Sequence, residues 1–270
     1  EKCIMVAANQ QGKSCLVIQH GTGKLHENTL PNPELIDKTK LLVFSEFYKK
    51  RYVQSGMKEG DVIVVGPVIF DEIKSEKNYK KIGLINKVLF ATSPLVEDNI
   101  LTKEIYFDRI AKILSDLKTI KDLELILKLH PRERNIERYK TILTKLGYSK
   151  TEVVKDISRK EFYKLIKECN SFLNLGSTAA MEACIINKPV VTVNILDCEK
   201  TGLQSIKTTF IEDSEATINV NYTDDVVKAV ERSFKDEEEF KERRKEFVEK
   251  ICYKVDGKAS ERIVDFIYNE

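Results

Sequence analysis

Three short polar segments, each just after an apolar run, hold the side chains best suited to chemistry. The first comprises His20, Gly21 and Thr22, after the run at 15–18. Glycine lets a ligand approach the backbone, the hydroxyl can bind an anion, and the imidazole can act as acid, base or phosphate partner. We interpret this segment as an anion-binding loop, although a tight turn that His20 merely hydrogen-bonds explains it equally well. His26 lies in a polar stretch, and we expect no catalytic role for it.

The second segment follows the apolar run at 123–129. Proline biases the preceding residue away from helical dihedrals, so Pro131 ends the strand at His130 and leaves the imidazole at the carboxyl edge of a sheet. Arg132 lies nearby, and both side chains suit a phosphate. The alternative is that Pro131 starts a helix and His130 is a loop residue without function.

The third segment follows the run at 171–175. Gly176 leads into Ser177, Thr178 and an alanine-rich helical stretch, and the N–H groups and hydroxyls at such a helix start can hold a phosphate. Glu182, one turn further on, can reach a ribose hydroxyl. A structural interpretation stays open, in which a hydroxyl caps the helix and the carboxylate favours its positive end.

The apolar runs predict the strands that position these segments, because they are rich in Val, Ile and Leu. From residue 87 strands alternate with helices, which is typical of a doubly wound parallel sheet. The charged run at 236–250 predicts a solvated helix. The predicted strands cover 3–8, 15–18, 41–44, 62–65, 87–92, 123–129, 151–154, 171–175 and 189–193. The predicted helices cover 45–57, 102–118, 134–146, 158–168, 178–186, 223–252 with a break near 235–236, and 258–268.

The overall composition narrows the class of protein. A chain of 270 residues predicts two α/β domains, or one domain and a fragment. The net charge of +2 gives no broad positive field for nucleic acid, and six scattered cysteines without a CxxC pair argue against a zinc or disulfide framework. No apolar run reaches the roughly 18 residues that span a bilayer, so we expect a cytoplasmic protein, at or near the inner face of the membrane. Because the chain starts on a predicted strand without methionine, we expect it to be the latter part of a longer one.

Together the segments resemble the two-Rossmann-domain GT-B fold of bacterial and archaeal cell-surface glycan enzymes. The CDP-glycerol glycerophosphotransferases and the capsule and sialic-acid transferases are most similar in motif, and the UDP-N-acetylglucosamine 2-epimerases are more distant. The resemblance implies that His20 is catalytic, and that His130 and Pro131 bind a cytidine nucleotide or its phosphates. The tryptophan and the Pro-Leu-Lys typical of the first motif are absent here.

The same resemblance implies roles for the other segments. Ser177 and Thr178 grip phosphate, and Glu182 contacts the donor ribose. We assign catalysis to His20 and His130, and donor or phosphate binding to Gly21, Thr22, Pro131, Arg132, Gly176, Ser177, Thr178 and Glu182.

The expected architecture is α/β, with GT-B-like, doubly wound parallel Rossmann-type sheets and an incomplete N-terminal domain. Residues 1–75 are the latter part of the acceptor-side domain, 76–250 form the donor-binding domain, and 251–270 form a terminal helix that crosses back. We expect transfer of a sugar or glycerophosphate from a cytidine-activated donor in surface glycan synthesis, without a metal or other cofactor.

The expected partners are a donor linked through CMP, CDP or UDP, a glycan or lipid-linked acceptor and a membrane surface, but no nucleic acid. Two other functions stay open. One is a UDP-sugar 2-epimerase-like enzyme, which would use the same phosphate site and carboxylates near the sugar. The other is a nucleotide-binding protein without catalysis.

Overall fold

The computed structural model of the chain describes residues 2–19, 21, 33–73, 86–196 and 214–269. The strands in these ranges are β1 Cys15–Ile18, β2 Thr39–Val43, β3 Val62–Val64, β4 Asn86–Ala91, β5 Leu123–Lys128, β6 Glu152–Val154, β7 Ser171–Asn174, β8 Val190–Asn194 and β9 Ile218–Asn221. The helices are α1 Lys2–Gln10, α2 Glu46–Gln54, α3 Lys103–Leu117, α4 Ile136–Lys145, α5 Arg159–Glu168, α6 Ala179–Ile185, α7 Val226–Lys235, α8 Glu238–Cys252 and α9 Ala259–Asn269. None of these helices is long and apolar enough to cross a membrane.

Contacts along the chain define two units. Unit 1 comprises Glu1–Ser75 and Glu246–Glu270, and unit 2 comprises Glu76–Lys245. Unit 1 contains a three-stranded parallel sheet in the order β1-β2-β3. From α9, Ile263 packs against Leu42 of the central strand and against Val65. The C-terminal helix therefore belongs to the core of unit 1.

The strand predicted at residues 3–8 is wrong, because the structure has helix α1 there. Its side chains are buried at a spacing of four residues: Met5 and Asn9 are buried, whereas Ile4 is 71% exposed. Asn9 accepts a hydrogen bond from the backbone N–H of Lys38 at 2.7 Å and donates to the hydroxyl of Thr39 at 3.1 Å. The apolar content predicted a strand. A helix forms instead because it places the buried side chains, four residues apart, on a single face.

The start of α9 is capped by a carboxylate from a distant part of the sequence. Asp71 accepts hydrogen bonds from the backbone N–H groups of Ala259 at 3.0 Å and Ser260 at 2.8 Å, and from the Ser260 hydroxyl at 2.7 Å. Helix starts leave such N–H groups without partners inside the helix, and a carboxylate also favours the positive end of the helix dipole.

We expect Asp71→Ala to destabilise unit 1 by about 1 to 2 kcal/mol, since it removes this cap. Urea unfolding of the whole chain, followed by circular dichroism, measures the loss. The control is Glu72→Ala, which removes a neighbouring exposed carboxylate. Equal stability of the two variants would show that the cap contributes nothing measurable.

Unit 2 contains a six-stranded, fully parallel sheet in the order β6-β5-β4-β7-β8-β9. Helices α3, α4 and α7 pack on one face through a large apolar cluster. The predicted α/β class with Rossmann-type parallel sheets is confirmed. The order continues outward from β4 to β5 and β6 on one side, and from β7 to β8 and β9 on the other. The switch point between these two strands is where open α/β sheets place ligands, at the carboxyl ends.

Two features of unit 2 differ from the sequence-based expectations. Strand β9 was not predicted, because it alternates apolar residues with asparagine at the edge of the sheet. The charged run at 236–250 is not wholly solvated either, since Asp236 and Arg244 are both buried and form an ion pair at 2.8 Å. The predicted break near 235–236 is confirmed: α7 ends at Lys235, and Asp236 has a left-handed φ of 45°.

Candidate functional site

A cavity of about 460 Å³ opens at the carboxyl ends of the strands of unit 2. Its lining residues lie within 93–100 after β4, at 130 after β5, within 175–178 after β7 and within 192–196 and 219–221 at β8 and β9. The strand order places His130 on one side of this row and the asparagine-rich end of β9 on the other. Among the lining residues, the titratable side chains are Asp98 and His130. The cavity is within the size range of small-molecule sites, about 300 to 1,000 Å³.

His130 begins a tight turn rather than a helix. The backbone N–H of Glu133 donates to the carbonyl of His130 at 3.0 Å, so Pro131 occupies the second position of a turn, which proline favours. Helix α4 starts only at Ile136. The alternative in which Pro131 begins a helix is therefore excluded, and the turn leaves the half-buried imidazole in the cavity wall.

The surroundings of His130 determine its protonation. Burial lowers the pKa of His130, as do the positive charges of Lys128 and Arg132, whereas Asp98 and Glu97 raise it. The lowered pKa favours the neutral ring at pH 7. The backbone N–H of Arg132 donates to Nδ1 at 3.2 Å, so the hydrogen-bond pattern assigns the remaining proton to Nε2. His130 can therefore donate a hydrogen bond from Nε2.

Arg132 and Pro131 do not line the cavity. Arg132 is exposed and forms a two-point ion pair with Asp98, in which Nη2 donates to Oδ2 at 2.9 Å. Glu97 accepts a hydrogen bond from the backbone N–H of Arg134 at 3.0 Å. This bond is a second link between the loop after β4 and the loop after β5. In this structure the charge of Arg132 is thus directed to the cavity residue Asp98 rather than into the cavity.

Gly176, Ser177 and Thr178 all line the cavity. Gly176 has a φ of 76°, which glycine adopts without strain. The backbone N–H groups of Gly176 and Ser177 donate to Oδ1 of Asn174 at 2.9 and 3.1 Å, so this asparagine shapes the loop. The Ser177 hydroxyl accepts a bond from the N–H of Ala179 at 3.2 Å, which leaves its own hydrogen for a ligand.

Asn174 is a functional candidate that sequence reasoning missed. It is fully buried, and its amide donates to the carbonyl of Val191 and to the hydroxyl of Thr192, each at 3.1 Å. A polar residue inside an otherwise apolar strand was the available signal. Asn194 at the end of β8 gives a similar signal: it lines the cavity and donates to the side-chain oxygen of Asn221 at 3.2 Å.

Glu182 is not among the residues that line the cavity. Its carboxylate accepts a hydrogen bond from the Tyr163 hydroxyl at 3.2 Å. Burial raises the pKa of Glu182 to about 7, against the opposing effects of this bond and of the charges of Arg159 and Lys128. The carboxyl group is therefore partly protonated at neutral pH.

This raised pKa predicts a pH effect on stability. A folded pKa above the unfolded value favours the folded state at low pH, and the benefit is lost as the pH rises from about 4.5 to about 7. We expect Glu182→Gln to become progressively more stable relative to the natural chain over this window. Thermal unfolding of both proteins from pH 5 to 8 measures the difference. Glu137→Gln on the exposed side of α4 is the control, and a pH effect no larger than the control's would contradict the prediction.

The first predicted segment falls largely outside the described residues. His20 and Thr22 lie outside them, as does His26. Gly21 is described, and its carbonyl accepts a hydrogen bond from the Gln19 side chain at 2.8 Å. The amide oxygen of the same side chain accepts a hydrogen bond from the backbone N–H of Phe44 at 3.0 Å. Gln19 thus anchors the start of this segment to unit 1.

Across the ranges that the structure describes, no group of three or more His, Cys, Asp or Glu side chains is arranged to hold a metal ion.

The parallel sheets and the cavity at the carboxyl ends of their strands define a Rossmann-like α/β protein. The family model of the UDP-N-acetylglucosamine 2-epimerases matches residues 38–268. The chain belongs to this family of enzymes. The GT-B resemblance inferred from the motifs is confirmed, but the matching family is the one that the motifs ranked as more distant.

Solved structures support the same fold. The UDP-GlcNAc 2-epimerase of Methanocaldococcus jannaschii, in complex with UDP-GlcNAc and UDP, is 18% identical with a TM-score of 0.65, over 98% of this chain and 72% of that one. MnaA of S. aureus with UDP is 17% identical with a TM-score of 0.64, over 98% and 69%. The wall teichoic acid polymerase TagF is 16% identical with a TM-score of 0.59, over 95% and 68%. No curated protein matches the chain.

Proposed function

We propose that the cavity of unit 2 binds a uridine nucleotide-sugar and that the protein is a UDP-sugar 2-epimerase. The observation that carries this proposal is the family match across residues 38–268, which spans the whole of unit 2 and with it the cavity. Two UDP-GlcNAc 2-epimerases of similar fold are described in complex with UDP-GlcNAc, and MnaA of S. aureus is described with UDP. Uridine therefore replaces cytidine as the proposed nucleotide.

The lining chemistry supports an orientation for the nucleotide. Nε2 of His130 and the hydroxyls of Ser177 and Thr178 supply donors for phosphate oxygens on one part of the lining. Apolar side chains and the asparagines of β8 and β9 supply a mixed surface on the other, which suits the nucleoside. Hydrogen bonds from neutral groups can satisfy a bound diphosphate, so the proposal needs no metal or cofactor.

Inversion at C2 breaks the C2–H bond, and its electron pair forms a C1=C2 double bond as the C1–O bond to UDP breaks. Return of UDP to C1, with a proton added to the opposite face of C2, gives the epimer. This chemistry uses a base and an acid. We assign the acid role in unit 2 to His130, whose Nε2 hydrogen is donated to the phosphate of the departing UDP, and the base role at C2 to Asp98, which Arg132 holds in orientation. His20 remains a proposed further catalytic residue, and Glu182 a proposed ribose ligand that would have to turn toward the cavity.

Product analysis tests this function. We expect the protein to convert UDP-N-acetylglucosamine into its C2 epimer without net release of nucleotide. In D₂O the product should carry deuterium at C2, because the hydrogen bound there exchanges with solvent. Proton NMR detects both the isomer and the exchange. Recovery of unchanged, undeuterated substrate under conditions where UDP binds would contradict the proposal.

Glycosyl or glycerophosphoryl transfer is the second candidate. It is favoured by the ordered motifs at 20–22, 130–131 and 176–178, which resemble those of the glycerophosphotransferases. A transferase releases nucleotide only when an acceptor is present, so ion-exchange chromatography of the nucleotides separates it from an epimerase. A protein that only binds nucleotide would produce neither change.

A further inference from the structure

Glu133 is a buried carboxylate that accepts hydrogen bonds from four groups. It is 2% exposed. One oxygen accepts from the backbone N–H of His130 at 2.6 Å and from the hydroxyl of Thr92. The other accepts from the hydroxyls of Tyr106, at 3.1 Å, and Tyr139. All four donors are neutral.

These bonds join two loops of the cavity. Thr92 and Ser93 follow β4, whereas His130 follows β5, and both Ser93 and His130 line the cavity. The Tyr106 hydroxyl also lies 2.9 Å from the Ser93 carbonyl, so its single hydrogen is shared between Glu133 and Ser93. Glu133 is therefore linked to both walls, directly at His130 and through Tyr106 at Ser93.

We propose that Glu133 is a positioning residue of the nucleotide site, which fixes His130 and the wall at Ser93 relative to each other before a ligand binds. The inference rests on the proposed function of the cavity. Glu133 does not line the cavity, so it acts through His130 and Ser93 rather than on the ligand. Prearranged ligand groups bind more tightly because less ordering is needed on binding.

A purely structural role is the competing interpretation, because Tyr106 and Tyr139 belong to the apolar core and need partners for their hydroxyls. The two interpretations differ over the Glu133 oxygen that accepts from His130 and Thr92. A partner for the tyrosines alone has no need of the bonds to His130 and Thr92. The test must therefore separate a change in the cavity from a general loss of stability.

The test uses Glu133→Gln. Glutamine keeps the size of the side chain but replaces one acceptor oxygen by an NH₂ donor, which then faces either the His130 N–H and Thr92 or the two tyrosines. We expect the affinity for UDP, measured by calorimetry, to fall about 10- to 100-fold, as small displacements of binding groups can cause. The imidazole titration of His130, followed by NMR, should move upward because the released ring becomes more exposed.

Leu143→Ala is the matched control, since it shortens a buried core side chain on α4 that does not line the cavity. It should lower stability and leave both the UDP affinity and the His130 titration as in the natural chain. An equal loss of affinity in this control would overturn the proposal, as would a Glu133→Gln protein with natural affinity and titration. If Glu133→Gln does not fold, Thr92→Val decides: a loss of affinity supports the proposal, and natural affinity overturns it.

The His130 titration needs no ligand. If the natural chain does not bind UDP, the proposed function fails, whereas the titration in Glu133→Gln still tests the positioning role. An upward shift would support Glu133 as the residue that fixes His130, and an unchanged titration would overturn it.

Discussion

His130→Ala is expected to weaken the binding of UDP about 10- to 100-fold, which corresponds to the loss of a hydrogen bond to a charged group worth about 1.5 to 3 kcal/mol. The neutral ring has its proton on Nε2 because Nδ1 accepts from the N–H of Arg132. Alanine removes this donor from the cavity wall and also the acceptor that stabilises the turn. Calorimetric titration of the two proteins with UDP measures the change.

His26→Ala is the control, since the sequence assigns no role to this second histidine. It should bind UDP as the natural chain does. If His130→Ala also retains natural affinity, His130 is not a phosphate ligand and the proposed orientation of the nucleotide is wrong.

Asp236→Asn is expected to destabilise unit 2 by about 3 kcal/mol, because it leaves the buried guanidinium of Arg244 without its charged partner. The side chains of Arg244 and Asp236 are only 2% and 6% exposed, and they are joined at 2.8 Å. Arg244 also donates to the side-chain oxygen of Asn187 at 3.2 Å, which cannot balance the charge. Asparagine tolerates the left-handed backbone at this position, so the substitution isolates the electrostatic effect.

The double variant Asp236→Asn with Arg244→Met is the matched control. It removes both charges, and an apolar side chain in place of a buried ion pair is often tolerated. Thermal and urea unfolding should show that it recovers much of the stability lost in Asp236→Asn. A double variant no more stable than Asp236→Asn would contradict the prediction, because removal of the unpaired charge of Arg244 would then recover no stability.

The sequence predicts the sheet of unit 2 well, since its inner strands are short apolar runs between helices of regular pattern. The prediction fails where a helix, a strand or a buried side chain depends on contacts with other parts of the fold. Helix α1 buries one side chain in four, such as Met5 and Asn9, and β9 alternates apolar residues with asparagine. The burial of Arg244 depends on Asp236, eight residues away, within a run whose composition is typical of exposed helices.

The candidate site shows the same division. His130 and the loop at 176–178 were predicted from their positions directly after apolar strands, and both line the cavity. Sequence could not show that Arg132 is paired with Asp98, or that Glu182 is paired with Tyr163. These pairings join residues distant in sequence. A cytidine donor was predicted from short motifs. The family match, which favours uridine, depends instead on the pattern of 231 residues, from 38 to 268.

A crystal structure of the chain with UDP tests the central claim most directly. We expect the nucleotide in the cavity of unit 2, with a phosphate oxygen within hydrogen-bond distance of Nε2 of His130 and of the hydroxyl of Ser177 or Thr178. The uracil should lie against the end of the lining formed by β8 and β9. UDP bound elsewhere, or a cavity that stays empty at saturating UDP while CDP occupies it, would contradict the proposed uridine site.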